Sequence, residues 1–238
     1  MTILATDTSS NALSVALKTD SFFEERTLVG RSLQHSERLV PIIMELCSDA
    51  GVTTKDIELL ACTRGPGSFT GLRIGMSALK GMAYALDKPL VSVSTLETLA
   101  NCVPCFDGAV VTVMDAKKQR WYLAAFEKAA DTPAKRLMPD TDGTEADLLE
   151  VLKPYGKILV TGPDAEAFAP VLENLLGKAK KVYVDSISSR SVASTLIDCA
   201  LRKYENDGAD DIGQGPVYLR KSDAEIALEP RRIKDGEK

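Results

Sequence analysis

The sequence predicts an α/β protein in which one unit is used twice. Three observations carry that prediction. Short apolar or alternating runs recur between longer stretches at helical spacing. A glycine-dense turn at 64–75 joins one such strand to one such helix. The opening hairpin also has an echo: Leu13 follows Asp7 by six positions and Trp121 follows Asp115 by six, each starting an alternating run. Self-similarity of this kind marks a repeated structural unit.

In chain order, Ile3 to Thr6 is a short apolar strand, and Asp7-Thr8-Ser9-Ser10-Asn11 is a turn cluster. Leu13, Val15 and Leu17 alternate as in a half-buried strand, and Phe22 to Val29 is a less regular third strand. From about Glu37 the period becomes helical through Leu39, Ile43, Leu46, Cys47 and Ala50, and Gly51 stops it. Pro41 is placed near the first turn, where its missing N–H does no harm. Glu58 to Thr63 is a strand, Leu72 to Leu86 a helix, and Leu90 to Val93 a strand. The second half reads as strands over Val110 to Met114 and around Trp121, Leu123 and Ala125. An amphipathic stretch over Ala146 to Leu152 follows. A strand at Ile158 to Thr161, a helix over Asp164 to Leu176, a strand at Val182 to Val184 and a helix over Val192 to Tyr204 complete it. The boundary falls at Cys102 to Gly108, giving units 1–104 and 105–215, with 216–238 packing back on the first as a terminal helix and tail.

Composition excludes several classes. Of 238 residues 45% are apolar and 26% charged, enough to fold without disulfides or structural metal. A net charge of −5 argues against a stand-alone nucleic-acid binder. His35 is the only histidine, so a His-rich metal site is excluded and any catalytic triad would run through it. The first residues lack a basic n-region and long apolar h-region, and no apolar run approaches the roughly 18 residues of a membrane span. The odd set Cys47, Cys62, Cys102, Cys105 and Cys199 suits a reduced, cytoplasmic chain.

Four features invite chemistry. The run Arg64-Gly65-Pro66-Gly67-Ser68-Phe69-Thr70-Gly71-Leu72-Arg73-Ile74-Gly75 lets backbone approach a ligand or another backbone, yet fits neither the P-loop nor G-x-G-x-x-G. It reads equally as a tight strand-to-helix turn. Asp7, Thr8 and Ser9, with Asp115 in the echoing position, are candidates for phosphate or hydrated magnesium; a hydrogen-bonded turn is the plainer reading. His35 begins a helix, where capping or an interface is favoured over catalysis. The pair Cys102-Val103-Pro104-Cys105 follows a helical stretch and precedes a strand, the reverse of the redox arrangement. Along the helix after the loop, Leu72, Met76, Leu79, Ala83 and Leu86 form a core stripe, while Gly71, Gly75, Ala78, Met82 and Ala85 form a second stripe of mostly small residues. On the preceding helix Val40 and Met44 lie beside the core stripe of Leu39 and Ile43.

These residues together resemble the TsaB family, also called YeaZ. The resemblance rests on Asp7-Thr8-Ser9, His35-Ser36-Glu37-Arg38-Leu39 with Pro41, the 64–75 run, Lys80-Gly81, Pro89-Leu90, Leu96-Glu97, Asp115 with Trp121-Tyr122, and Pro216-Val217-Tyr218-Leu219-Arg220. It spans nearly the whole chain and is densest over 1–125. It implies an actin/hexokinase-like fold of two duplicated RNase-H-like domains. It also implies a non-catalytic partner of TsaD, the subunit that makes N6-threonylcarbamoyladenosine at position 37 of ANN-decoding tRNAs, with the ATPase TsaE as third component. Both TsaB and TsaD were formerly labelled glycoproteases.

The implied partner surface is Leu39, Val40, Ile43, Met44, Gly71, Gly75, Ala78 and Met82, used for a homodimer when the chain is alone and for TsaD when it is present. Gly65, Pro66, Gly67, Ser68, Thr70 and Gly71 make the structural loop. Aligned through Pro89-Leu90 and Leu96-Glu97, the two histidines of TsaD's H-x-x-x-H metal motif fall at Thr95 and Leu99, which cannot replace imidazoles. The expectations are therefore no metal, no catalysis by this chain, tRNA met only through the complex, and ATP or ADP bound weakly at most or at a subunit interface. The competing class is an enzyme of the same fold, a small-molecule kinase using Asp7 and Asp115 or a peptidase. Turnover of ATP or of a peptide would discriminate it.

Overall fold

The computed structural model describes residues 1–30, 35–130, 132–185 and 191–220. The expected terminal helix lies almost wholly outside these. The first unit holds β1 (Ile3–Asp7), β2 (Ala12–Lys18), β3 (Phe23–Val29), α1 (His35–Asp49), β4 (Leu59–Thr63), α2 (Phe69–Leu86), β5 (Leu90–Val93) and α3 (Thr95–Asn101). The second holds β6 (Gly108–Lys117), β7 (Arg120–Lys128), β8 (Lys135–Gly143), α4 (Leu149–Leu152), β9 (Lys157–Thr161), α5 (Ala165–Leu176), β10 (Lys181–Asp185) and α6 (Ala193–Asp207).

Two five-stranded sheets result, ordered β3-β2-β1-β4-β5 and β8-β7-β6-β9-β10. In both, the first three strands pair antiparallel and the last two add in parallel. Strand for strand the two sheets match, so the duplication is real. This is the doubled RNase-H-like, actin/hexokinase-like architecture. The strand β8 completes the match, although its polar composition hides it in the sequence.

Alternation in the strands splits each sheet into two faces. Leu4, Leu13, Val15, Leu17, Leu60 and Cys62 face α1 and α2, which lie side by side. Ile3, Ala5, Leu59, Ala61, Val91 and Val93 face α6 instead. In the second sheet Val111, Val113, Ile158 and Val160 face α5, while Val110, Met114, Ala124 and Phe126 face α3. The two units thus exchange helices: α6, from the second stretch, covers the first sheet, and α3, from the first, covers the second. Glu25 on β3 fastens one exchange, its carboxylate accepting the N–H of Ala193 at 3.0 Å and of Ser194 at 3.2 Å at the start of α6. Pro41 falls in the second turn of α1 rather than the first, leaving the Glu37 carbonyl without its helical donor.

Candidate functional site

The turn after β1 and the glycine-rich loop are built against each other. Ser68 caps α2, its Oγ accepting the Gly71 N–H at 3.2 Å, and the Ser68 N–H donates to the Ser9 carbonyl at 2.7 Å. Thr8 Oγ1 donates to the Gly71 carbonyl at 2.8 Å. A Cβ on Gly67 would strike the Ser9 carbonyl, one on Gly71 the Thr8 carbonyl, and one on Gly75 the Thr8 hydroxyl. The glycines are therefore needed because backbone meets backbone inside the chain. Gly65, joined to Pro66 by a cis bond, has its own close neighbour: a Cβ there would lie 2.6 Å from the Val217 carbonyl. Thr70 is exposed on the first turn of α2.

Asp7 is 2% exposed and accepts from Thr63 Oγ1 at 2.7 Å and from the Ser9 N–H at 3.1 Å, a hydrogen-bonded turn. Burial pushes its carboxyl up, against the lowering effect of those two bonds. Asp115 does not repeat this placement. Asp7 pairs with Ser14 across the first hairpin, while Asp115 pairs with Trp121 across the second, so the hairpins differ by one residue in register. A one-residue offset turns a side chain to the opposite face. Asp7 shares a face with Ile3 and Ala5, toward α6; Asp115 shares one with Val111 and Val113, toward α5. The Lys117 ammonium beside Asp115, at 2.7 Å, holds that carboxyl below its usual range.

A cleft of about 940 Å³ opens between the units. Ser9, His35 and the loop from Gly67 to Gly71 border it on one side; Met114 to Lys118, Tyr122 and Asp164 border it on the other. Tyr218 and Arg220 also line it. Asp7 and Thr8 do not. His35 Nε2 lies 3.3 Å from the Ala12 carbonyl. The hairpin at the second wall turns through Lys117, Lys118 and Gln119, all left-handed at φ 64°, 56° and 59°. Such a run of non-glycine residues at a cleft is costly and held by its surroundings. The sequence marks this run as a polar turn between Asp115 and Trp121, but with no glycine or asparagine in it the left-handed backbone is not legible there.

Comparison with known proteins decides what kind of chain this is. A family model described as TsaD: tRNA N6-adenosine threonylcarbamoyltransferase matches residues 31–228. The tRNA threonylcarbamoyladenosine biosynthesis protein TsaB of Bacillus subtilis (strain 168) is 31% identical over 226 residues, covering 94% of this chain and 96% of its own. The protein of the same name from Escherichia coli (strain K12) is 37% identical over 131 residues, 54% of this chain and 56% of its own. The solved structure of YeaZ from Pseudomonas aeruginosa has a TM-score of 0.75 at 25% identity, covering 92% of this chain and 99% of that one. The chain belongs to the TsaB family.

Within this TsaB-family chain, the positions aligned with the TsaD histidines lie on α3. Leu99 is packed among Leu96, Ala100, Val110 and Phe126. Thr95 is buried, and its Oγ1 has no hydrogen-bond partner among the described residues. A hydrocarbon and a neutral hydroxyl do not fit a tightly held transition metal. Among the described residues no cluster of His, Cys, Asp and Glu is arranged to hold a metal ion. Burial pushes the Cys102 thiol up to about 12, while Cys105 is exposed.

The eight residues assigned to a partner surface divide. Leu39 and Ile43 are each 1% exposed and belong to the core with α2 and the first sheet. Gly71 and Gly75 are buried against Thr8. Those four are corrected to internal positions, because the sheet and the β1 turn already cover them. Val40 and Met44 are 52% and 54% exposed, and Ala78 and Met82 are half-buried at the margin of the core. Tyr84, at 84% exposure, is a large exposed side chain on α2 that sequence reading missed, since it lies outside both stripes. Among the described residues no helix is long and apolar enough to cross a membrane.

Proposed function

We propose that this chain is a non-catalytic subunit in tRNA threonylcarbamoyladenosine biosynthesis, pairing with the catalytic subunit TsaD through the outward faces of α1 and α2. One observation carries the reading: Val40, Met44 and Tyr84 are exposed on these two neighbouring helices, with Ala78 and Met82 half-buried beside them. Adjacent helices with uncovered apolar faces suit helix-on-helix packing with a related pair. Alone, the chain uses the same face for a homodimer. TsaE joins as a third component, and tRNA is met through the complex, in keeping with a net charge of −5.

The non-catalytic role is supported by Thr95 and Leu99, and by the β1 turn, whose Thr8 hydroxyl and Ser9 carbonyl are engaged by the glycine-rich loop. A nucleotide phosphate, which takes donors, would have to draw the Thr8 hydroxyl off the Gly71 carbonyl to use that turn.

Titration of purified TsaD with this chain tests the reading. Met44→Glu and Val40→Glu should leave the melting temperature of the free subunit unchanged and weaken binding at least about tenfold, the equivalent of 1.4 kcal/mol. Unchanged affinity in both variants would move the contact elsewhere.

A further inference from the structure

The stretch after α6 runs along the first unit and ends on the second. The Asp210 N–H donates to the Leu90 carbonyl at 2.9 Å, and its carboxylate takes the Ser92 N–H at 2.7 Å and pairs with Lys203 at 2.5 Å. Lys80 on α2 donates to the carbonyls of Ile212, at 2.7 Å, and Gln214. The Val217 N–H donates to the Arg64 carbonyl at 2.7 Å. Tyr218 then lies over Phe69, ring centroids 4.6 Å apart, and its hydroxyl accepts from Arg73 Nε at 2.9 Å. Two residues later Arg220 reaches the other unit, donating from Nη1 to the Ala116 carbonyl at 2.7 Å and to the Lys117 carbonyl at 3.4 Å.

We propose that residues 210–220 are a strap whose last side chain, Arg220, latches the second unit across the mouth of the cleft. The strap is anchored before it crosses. Ser92, Lys80, Arg64 and Phe69 hold it at successive points on the first unit, so Arg220 starts from a fixed origin. Its acceptors are the carbonyls that open the left-handed run 117–119, at the cleft's second wall. A guanidinium is suited to this task, being permanently charged and offering several donors in a planar fork. Releasing either end frees the hairpin wall to move relative to the glycine-rich loop. The proposal does not depend on which partner covers α1 and α2.

The distance across the mouth reads the latch directly. In the full chain with the exposed Cys105 replaced (Cys105→Ser), spin labels at Asn11→Cys and Pro163→Cys flank the cleft. Arg220→Ala should give a longer mean distance and a wider spread than the parent, and Tyr218→Ala, which cuts the anchor, should do the same. Superimposable distributions for Arg220→Ala and the parent would overturn the latch. If Arg220→Ala does not fold, Arg220→Lys, with its shorter single-point head, must show the shift, and an unchanged distribution there overturns the proposal equally.

Discussion

The side chain of Thr8 occupies the space that a Cβ on Gly75 would need, while its Oγ1 donates to the Gly71 carbonyl one turn earlier in α2. The small-residue stripe of α2 is therefore explained at two positions by the β1 turn, and a partner helix is not required there.

Opposing magnitudes make this testable. Alanine in a helix interior is favoured over glycine by about 1 kcal/mol, whereas overpacking costs typically 1–3 kcal/mol. Gly75→Ala is therefore expected to destabilise the chain while Thr8 is present. In a Thr8→Ala background the hydroxyl that causes the clash is gone and only the residue-8 Cβ remains, at 3.3 Å, so the same change should cost less. Urea unfolding of the four species gives the coupling energy. Additive effects would show that the two residues do not meet as described.

Asp7 is expected to be a liability at neutral pH. Burial raises its folded-state pKa, outweighing the Thr63 and Ser9 hydrogen bonds. The folded chain thus holds the proton more tightly than the unfolded one, and stability is lost as pH rises from the unfolded value near 4 through the raised folded value. Asp7→Asn keeps an acceptor for Thr63 and Ser9 and carries no charge. It should melt higher than the parent at pH 7, with the gain shrinking toward about pH 4; each 1 kcal/mol would appear as about 2–4 °C. A lower melting temperature at pH 7 would mean the carboxylate itself is needed.

Glu25 should show the opposite sign. Burial favours its protonated form, but hydrogen bonds from Ser14, Ser194, Ser191 and the Ala193 amide outweigh this and hold the carboxyl below the usual range. Its contribution is present above the unfolded value of about 4.3 and disappears as pH falls through the lowered folded value. Glu25→Ala removes the carboxylate at the start of α6 and should cost about 1 kcal/mol at neutral pH. Equilibrium unfolding at pH 7 and at about pH 3 should show that difference closing. A constant difference would leave the ionised cap without a role.

Most of the fold was legible because strand alternation and helical spacing are strong where a face is buried. β8 was not: Lys135–Gly143 carries Pro139 and a mostly polar run, and it is an edge strand whose pairing with β7 is irregular. α3 is legible only as a helical stretch of unstated bounds before Cys102, because seven residues are too few to show a full helical period. α2 starts at Phe69 rather than Leu72, because Ser68 caps it and Gly71, which suggests a loop in the sequence, lies inside its first turn. The site was less legible. Equal spacing after Asp7 and Asp115 looked like equivalence, but a single residue of hairpin register separates them. Exposure of Val40 and Met44 could be anticipated from the helical wheel; burial of Gly71 and Gly75 under Thr8 could not, because it depends on a contact between residues more than sixty positions apart.

The exchange of α3 and α6 separates ancestry from folding. A chain cut near residue 104 would strip Ile3, Ala5, Leu59, Ala61, Val91 and Val93 of the helix that covers them. The remainder would lose Leu96, Leu99 and Ala100 from over Val110, Ala124 and Phe126. Each copy of the repeated unit keeps one wall of its interior on loan from the other. What was once doubled as a piece no longer survives as one, and an alteration in either half is registered by both.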